Sequence, residues 1–242
     1  MSGYIDLHSH WLPDIDDGVQ TIDEGLALLE RLARAGFSVV VATPHMRPGM
    51  FDNDRAALVE AFQRILPEVT ARPDLPKVLL SSEHHFEETV YGRLMRGEGI
   101  PYPSLSGQPG KPAVLIEFAQ ASFPSRAQAR MFDLSRAGLR PVLAHPERYR
   151  PVWTDDACLD PLIEAGVCML LDMCSVVGKY GRASQEAAEK LLEEGVYEAA
   201  CSDAHRPADV DDVEKALQRL VQLVGKEETD RLLRDGPQGI LG

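Results

Sequence analysis

Hydrophobic and polar positions along the chain repeat one pattern four times: an amphipathic helix ending in glycine, a nearly unbroken apolar run, then a polar residue able to do chemistry. In the first copy Leu26, Leu29, Leu32 and Ala33 recur at helical spacing. Thr21 and Glu24 have the spacing of a capping box, and Gly36 supplies the stop. The run Phe37-Ser-Val-Val-Val-Ala-Thr follows and leads to His45. A second copy covers residues 125–138, then Leu139-Arg-Pro-Val-Leu-Ala ending at His145. A third passes through Gly166 into Val167-Cys-Met-Leu-Leu and ends at Asp172, and a fourth passes Gly195 and residues 196–201 to reach Asp203 and His205. Apolar strands alternating with helices are the mark of parallel β-structure covered by helices. Tyr4-Ile-Asp-Leu, Val78-Leu-Leu-Ser-Ser and Ala113-Val-Leu-Ile-Glu bring the predicted strands to seven. The expected fold class is therefore α/β, as a distorted (β/α)7 TIM-like barrel, since no phosphate-binding glycine motif opens any helix as in an open doubly wound sheet. Residues 46–54 and 97–112 break the pattern and read as surface loops, the first as a substrate lid and the second as a connector. No linker divides the chain, so residues 1–242 are expected to form a single domain.

Composition narrows the function. With 25 Lys+Arg against 38 Asp+Glu the net charge is −13, which argues against a nucleic-acid partner. No apolar run approaches the ~18 residues of a membrane span, and the N-terminus carries no export signal, so a cytoplasmic protein without membrane insertion is expected. Four cysteines, Cys158, Cys168, Cys174 and Cys201, include no C-x-x-C pair and read as reduced core thiols.

The histidines carry the candidate chemistry. Six or all of the seven, His8, His10, His45, His84, His85, His145 and His205, fall at or just past the ends of predicted strands, the rim where a barrel gathers side chains. His8 and His10 are spaced to share a metal ion. Around them stand Asp16 and Asp17 in the first loop, then His45, Glu83, Glu117, His145, Asp203 and His205 after successive strands. Imidazoles and carboxylates without thiolates suit manganese, iron or zinc in an open catalytic site. So many donors oversupply one ion and fit two or three, with carboxylates as bridges. Such sites activate water and stabilise an oxyanion, which phosphate-ester hydrolysis requires. Arg148 and Arg206 stand beside proposed ligands and could grip phosphate oxygens. Other nucleophiles are absent: no cysteine is followed by arginine at the phosphatase-loop spacing, and there is no G-x-S-x-G elbow. An amidohydrolase barrel also opens with His-x-His but needs a lysine on the fourth strand, which here ends in Glu117.

In order along the chain, Asp6-Leu-His-Ser-His, Asp14-Ile-Asp-Asp-Gly, Ala42-Thr-Pro-His, Ser82-Glu-His, His145-Pro-Glu-Arg-Tyr, Ser175-Val-Val-Gly-Lys-Tyr-Gly and Ser202-Asp-Ala-His-Arg resemble the PHP (polymerase and histidinol phosphatase) superfamily. Within it, they resemble the bacterial metal-dependent protein tyrosine phosphatases of the CpsB and YwqE type. The resemblance implies a PHP-fold barrel with up to three divalent metals held by His8, His10, the Asp16 region, His45, Glu83, Glu117, His145, Asp203 and His205. It implies phosphate contacts from Arg148 and Arg206, and as substrate a phosphotyrosine protein, the tail of a tyrosine kinase governing capsule or exopolysaccharide assembly. His205 or Asp203 would assist the leaving phenolate. Asp172 stands where the family is expected to carry Asn or Thr and is read as a hydrogen-bonding group. One of His84 and His85 is read as shaping the pocket, and residues 46–54 match no family loop. Two other readings remain open: a small-molecule enzyme such as histidinol phosphate phosphatase, and a metal-binding regulatory module without turnover.

Overall fold

The computed structural model describes residues 3–105, 107 and 110–242. Its strands are β1 (Tyr4–Ser9), β2 (Phe37–Ala42), β3 (His45–Met46), β4 (Lys77–Leu80), β5 (Glu83–His85), β6 (Ala113–Glu117), β7 (Arg140–Ala144), β8 (Cys168–Asp172) and β9 (Ala199–Cys201). All their pairings are parallel, in the orders β1-β2-β4 and β3-β5-β6-β7-β8-β9. The seven expected strands become nine because two of them break. The second breaks at Thr43 and Pro44, where proline has no N–H for the ladder. Its neighbour breaks alongside, at Ser81 and Ser82. The halves stay laced together: Ser81 N–H donates to the Ala42 carbonyl at 2.8 Å and the Ser82 hydroxyl to the Pro44 carbonyl at 2.8 Å. The far edge returns to β1 through a parallel bridge between Ser9 and Ala204, flanked by Asp203 N–H to the His8 carbonyl at 2.9 Å. The result is a seven-position ring of parallel strands.

Alternation of side chains fills the ring from within and coats it without. Ile5, Leu7, Val39, Val41, Ala113, Leu115, Val142, Ala144, Leu170, Ala199 and Cys201 form the inner cluster. Their neighbours Val40, Val114, Ile116, Leu143, Met169, Leu171 and Ala200 pack outward against helical residues such as Leu29, Leu32, Ile65 and Leu191. The first of those helices, Ile22–Arg34, has the expected capping box, and Gly36 takes the left-handed φ of 106°. The expected helix over 125–138 is observed as Ala127–Arg136. The described part of residues 97–112 is more than a surface connector. Ile100 and Tyr102 are buried, and Tyr102 joins Ile240 and Leu241 in the inner cluster, its hydroxyl donating to the Leu7 carbonyl at 2.9 Å. Since Tyr102 N–H also bonds the carbonyl of Ala113, at the start of β6, this segment covers the N-terminal end of the barrel and leaves the opposite rim for chemistry.

One buried carboxyl braces that rim from behind. Glu147 is fully buried and accepts from Asp172 N–H at 3.1 Å, from the Ser175 hydroxyl at 2.9 Å and from the Tyr197 hydroxyl at 3.1 Å. Burial, reinforced by the nearby Asp172 charge, pushes its pKa up to about 8 from an ordinary 4.5. The folded chain therefore binds a proton that the unfolded chain releases above pH 4.5, so stability declines as pH rises from there through about 8, by up to about 1.4 kcal/mol per pH unit. Glu147→Gln, which resembles the protonated acid, is expected to flatten that slope and to exceed the native chain in melting temperature at pH 8. Parallel melting curves from pH 5 to 9 check this; identical slopes in the two proteins would refute it.

Candidate metal centre

The polar rim begins where each strand's apolar inner row ends. In β1 the register slips between Asp6 and Ser9, and His8 and His10 are both fully buried with their Nε2 atoms 3.1 Å apart. Beneath them, burial pushes Asp6 up to about 6 against the opposing hydrogen bonds from Ser202; its carboxyl accepts from Ser202 Oγ at 2.5 Å and from the His8 N–H at 3.3 Å, tying β1 to the segment after β9. Glu83, at the first position of β5, lies at the centre. One carboxylate oxygen is 3.4 Å from His8 Nε2, 3.5 Å from His10 Nε2 and 3.0 Å from His45 Nδ1, and the other is 3.1 Å from His145 Nε2. Across from it, Asp203 Oδ1 is 3.2 Å from His8 Nε2 and 3.4 Å from His10 Nε2. His145 and Asp203 follow β7 and β9 with left-handed φ values of 36° and 46°. Such backbone costs roughly 1–2 kcal/mol per residue and is held only where surrounding structure enforces it.

The first loop divides its two acids. Asp16 is spent on positioning: its carboxylate receives His10 Nδ1 at 2.7 Å, His45 N–H at 3.0 Å and Gly18 N–H at 2.9 Å. Asp17 instead faces the cluster, 3.4 Å from His45 Nε2 and 3.6 Å from His205 Nε2. The adjacent histidines after Glu83 divide likewise, because successive strand residues point to opposite faces. His84 is buried, its Nδ1 donating to the Leu115 carbonyl and its Nε2 accepting the Ile100 N–H, and burial lowers its pKa to about 4. His85 points to the Glu83 side and meets Glu117 Oε2 at 2.9 Å.

Four overlapping groups have ligand atoms within 4.8 Å of one another: His10, Asp17, His45 and His205; His8, His10 and Asp203; His8, Glu83 and His145; His45, Glu83 and Glu117. Of the nine metal ligands expected from sequence, eight fall in these groups, while Asp16 lies just outside with Asp17 in its place. The donor set fits divalent cations better than it fits a hydrogen-bond network. Asp203 Oδ1 and the Nδ1 atoms of His8 and His145 are buried without hydrogen-bond partners among the described residues. Burial by itself would lower the imidazole pKa values, yet the Asp203 and Glu83 carboxylates raise His8, Asp16 raises His10, and Glu83 with Asp17 takes His45 to about 10. The pocket's field calls for positive charge.

Arg148, in the 3-10 turn Pro146–Arg148, stands at the edge of this cluster. Its Nη1 donates to Asp203 Oδ2 at 2.5 Å and lies 3.5 Å from Asp172 Oδ2, and its guanidinium sits 4.2 Å above the Tyr180 ring. Asp172 therefore hydrogen-bonds and pairs with an arginine, its other oxygen receiving Cys174 N–H. Arg206 is exposed next to His205 and makes no ion pair among the described residues. Tyr180, which carries Arg148, lay within a motif noted in the sequence but had no role assigned. Asn53 and Phe51 had none either: the Asn53 amide donates to the carbonyls of Ile15 and His45, and the Phe51 ring stacks on His45 at 5.3 Å with 3° between planes. Residues 46–54 are thus pinned to a candidate ligand.

A parallel seven-position barrel with a multi-histidine, multi-carboxylate rim defines a metal-dependent hydrolase class of protein. The chain belongs to the CpsB/CapC family of capsular polysaccharide synthesis proteins, whose model matches residues 4–242. It is 29% identical to tyrosine-protein phosphatase YwqE of Bacillus subtilis over 83% of this chain and 77% of that protein. It is 26% identical to tyrosine-protein phosphatase CpsB of Streptococcus agalactiae over 98% of both. A solved structure from work on B. subtilis YwqE and Streptococcus pneumoniae CpsB, described as unique metal-dependent tyrosine phosphatases, superposes with a TM-score of 0.85 at 28% identity, covering 98% of this chain and 94% of that one. The phosphotriesterase homology protein of Escherichia coli shares the fold alone, at a TM-score of 0.61 and 12% identity over 100% of this chain and 99% of that one.

Proposed function

We propose that this chain is a metal-dependent tyrosine-protein phosphatase acting on a phosphotyrosine protein, with the tail of a bacterial tyrosine kinase in capsule or exopolysaccharide synthesis as its substrate. The observation that carries the reading is that three of the four ligand groups share Glu83 or Asp203, with the largely buried Arg148 guanidinium alongside. His8, His10, Asp17, His45, Glu83, Glu117, His145, Asp203 and His205 would hold two or three divalent ions, manganese first, with iron or zinc as alternatives. When bound, such ions supply Lewis-acid stabilisation of phosphoryl oxygen and a lowered pKa for water. Arg148 is fixed by Asp203 and Tyr180, and its buried Nε has no hydrogen-bond partner among the described residues, so donor capacity remains for a phosphate oxygen. Burial would raise Asp203, but His8, His205 and Arg148 outweigh it and hold the carboxyl well below the usual range. Asp203 is therefore an anion at working pH, and of the two only His205, a quarter exposed at the mouth, could give a proton, from an Nε2 that holds no metal in that step. A tyrosine phenolate, with a parent pKa of about 10, needs little such help. Among the described residues no helix is long and apolar enough to cross a membrane. Four free cysteines fit a reducing compartment, and the reading includes the cytoplasm.

The test is phosphate release from a phosphotyrosine peptide and from histidinol phosphate by protein stripped with chelator and reloaded with manganese. Hydrolysis of the peptide only after reloading is expected; preference for histidinol phosphate, or silence on both with metal bound, would overturn the reading. The division between the two loop acids adds a prediction. Asp16→Asn is expected to weaken metal affinity about 10- to 100-fold while activity at saturating metal stays near native, as for other groups that orient a ligating histidine. Titrating activity with manganese reads the shift, and an unchanged midpoint would deny Asp16 that role.

A further inference from the structure

Next to the metal cluster lies a cavity of about 490 Å³. Its lining includes Glu117 and His85, the hydrogen-bonded pair at the end of β5 and β6, together with Phe118 and Gln120. Arg47 and Arg150 also line it. Arg47 comes from residues 46–54, where its backbone pairs with Phe51, and Arg150 follows the Arg148 turn, its N–H bonded to the Gln120 carbonyl. Neither guanidinium has an ion pair or hydrogen bond with another side chain among the described residues, although acidic groups outnumber basic ones by 13 in the chain. Several other arginines of the surface, Arg31, Arg96, Arg130 and Arg182 among them, are by contrast paired with carboxylates. Two unneutralised cations lining one cavity beside a candidate metal ligand form a binding site for anionic groups.

We propose that Arg47 and Arg150 select acidic side chains flanking the phosphorylated tyrosine, so that the preferred substrate is an acidic peptide segment laid through this cavity. The inference rests on the phosphatase reading of the adjoining site and names its substrate more narrowly. Glu117 and His85 join the cavity to the cluster, so a phosphate at the metals brings neighbouring residues of its peptide between the two arginines. The volume lies in the range of sites that enclose small ligands, about 300–1,000 Å³, and suits a short peptide stretch. Residues 46–54 thereby acquire a role: they present Arg47 while Asn53 and Phe51 hold their far end against His45.

The experiment compares kcat/KM of the whole 242-residue, manganese-loaded chain on phosphotyrosine peptides of equal length flanked by Asp and Glu, by Ser and Ala, or by Lys. The acidic peptide is expected to be favoured over the neutral one about five- to tenfold at low salt, mainly through KM, with the ratio shrinking as ionic strength rises. In the double variant Arg47→Gln, Arg150→Gln the ratio is expected to fall to about one, and Arg150→Glu is expected to favour the Lys-flanked peptide. Equal rates on acidic and neutral peptides in the native chain would overturn the inference while leaving the phosphatase reading intact. So would a preference that survives in the double variant, or a loss equal on both peptides. If the metal-loaded chain hydrolyses none of the peptides, the phosphatase reading fails and this inference fails with it.

Discussion

Replacing Glu83 with glutamine is expected to lower kcat/KM on a phosphotyrosine peptide at least about a thousandfold and to reduce the metal retained per chain. The carboxylate is the point at which two of the four ligand groups overlap, and it contacts four imidazoles from three different strand ends. Burial would favour its neutral acid, but His8 and His45 overcome that and keep it ionised, well below its usual range. An amide of the same shape keeps the packing but loses the charge and one acceptor oxygen, so it cannot bridge two cations. A thousandfold loss corresponds to about 4 kcal/mol at the transition state, the scale expected when a metal's charge stabilisation is removed. Elemental analysis after dialysis, alongside steady-state kinetics, separates metal loss from chemical loss. A variant retaining full metal and a tenth or more of native activity would remove Glu83 from the centre of the site.

Arg148→Ala is expected to behave differently: kcat falls about 100- to 1,000-fold while metal content stays native. A guanidinium is no metal ligand, and on the proposed reading its removal would take away a preorganised cation beside the developing phosphoryl charge, a loss of about 3–4 kcal/mol in comparable donor deletions. Arg148→Lys should recover only part of the rate. An ammonium keeps the charge but has neither the planar fork that matches two phosphate oxygens nor the flat face that lies on Tyr180. Arg206→Ala, at an exposed position, should cost less than Arg148→Ala. Unchanged kcat in Arg148→Ala with metal bound would show that the guanidinium serves only to pair with Asp203 and Asp172.

Much of this was legible in the sequence because it depends on local rules. The capping box at Thr21 and Glu24, the glycine stop at Gly36 and the apolar strand runs are short-range signals that fix where a helix starts, where it stops and where the next strand runs. Once strand ends are fixed in a parallel barrel, residues such as His45, Glu117, His145 and Asp203 must meet at one rim. The covering role of Tyr102 was not legible, since a Pro- and Gly-rich stretch reads as surface and only the distant Leu7 carbonyl gives its hydroxyl a partner.

By itself, then, the sequence determined the order of strands and helices, the rim on which the chemistry gathers and the kinds of donor found there. Tertiary structure decided which of two neighbours takes part. Asp17 faces the cluster while Asp16 orients His10, and His85 reaches Glu117 while His84 braces Ile100. Tertiary structure alone also brought Arg47 and Arg150 to one cavity from segments about a hundred residues apart. For the two histidines the physical reason is that a one-residue step along a strand reverses the face a side chain points to, whereas Asp16 and Asp17 lie in a loop where the Gly18 and His45 backbone N–H groups hold Asp16; a strand break, a register slip or a left-handed residue resets the alternation. Pro44, the slip after Asp6 and the positive φ at His145 and Asp203 are such resets, enforced by contacts from elsewhere in the chain.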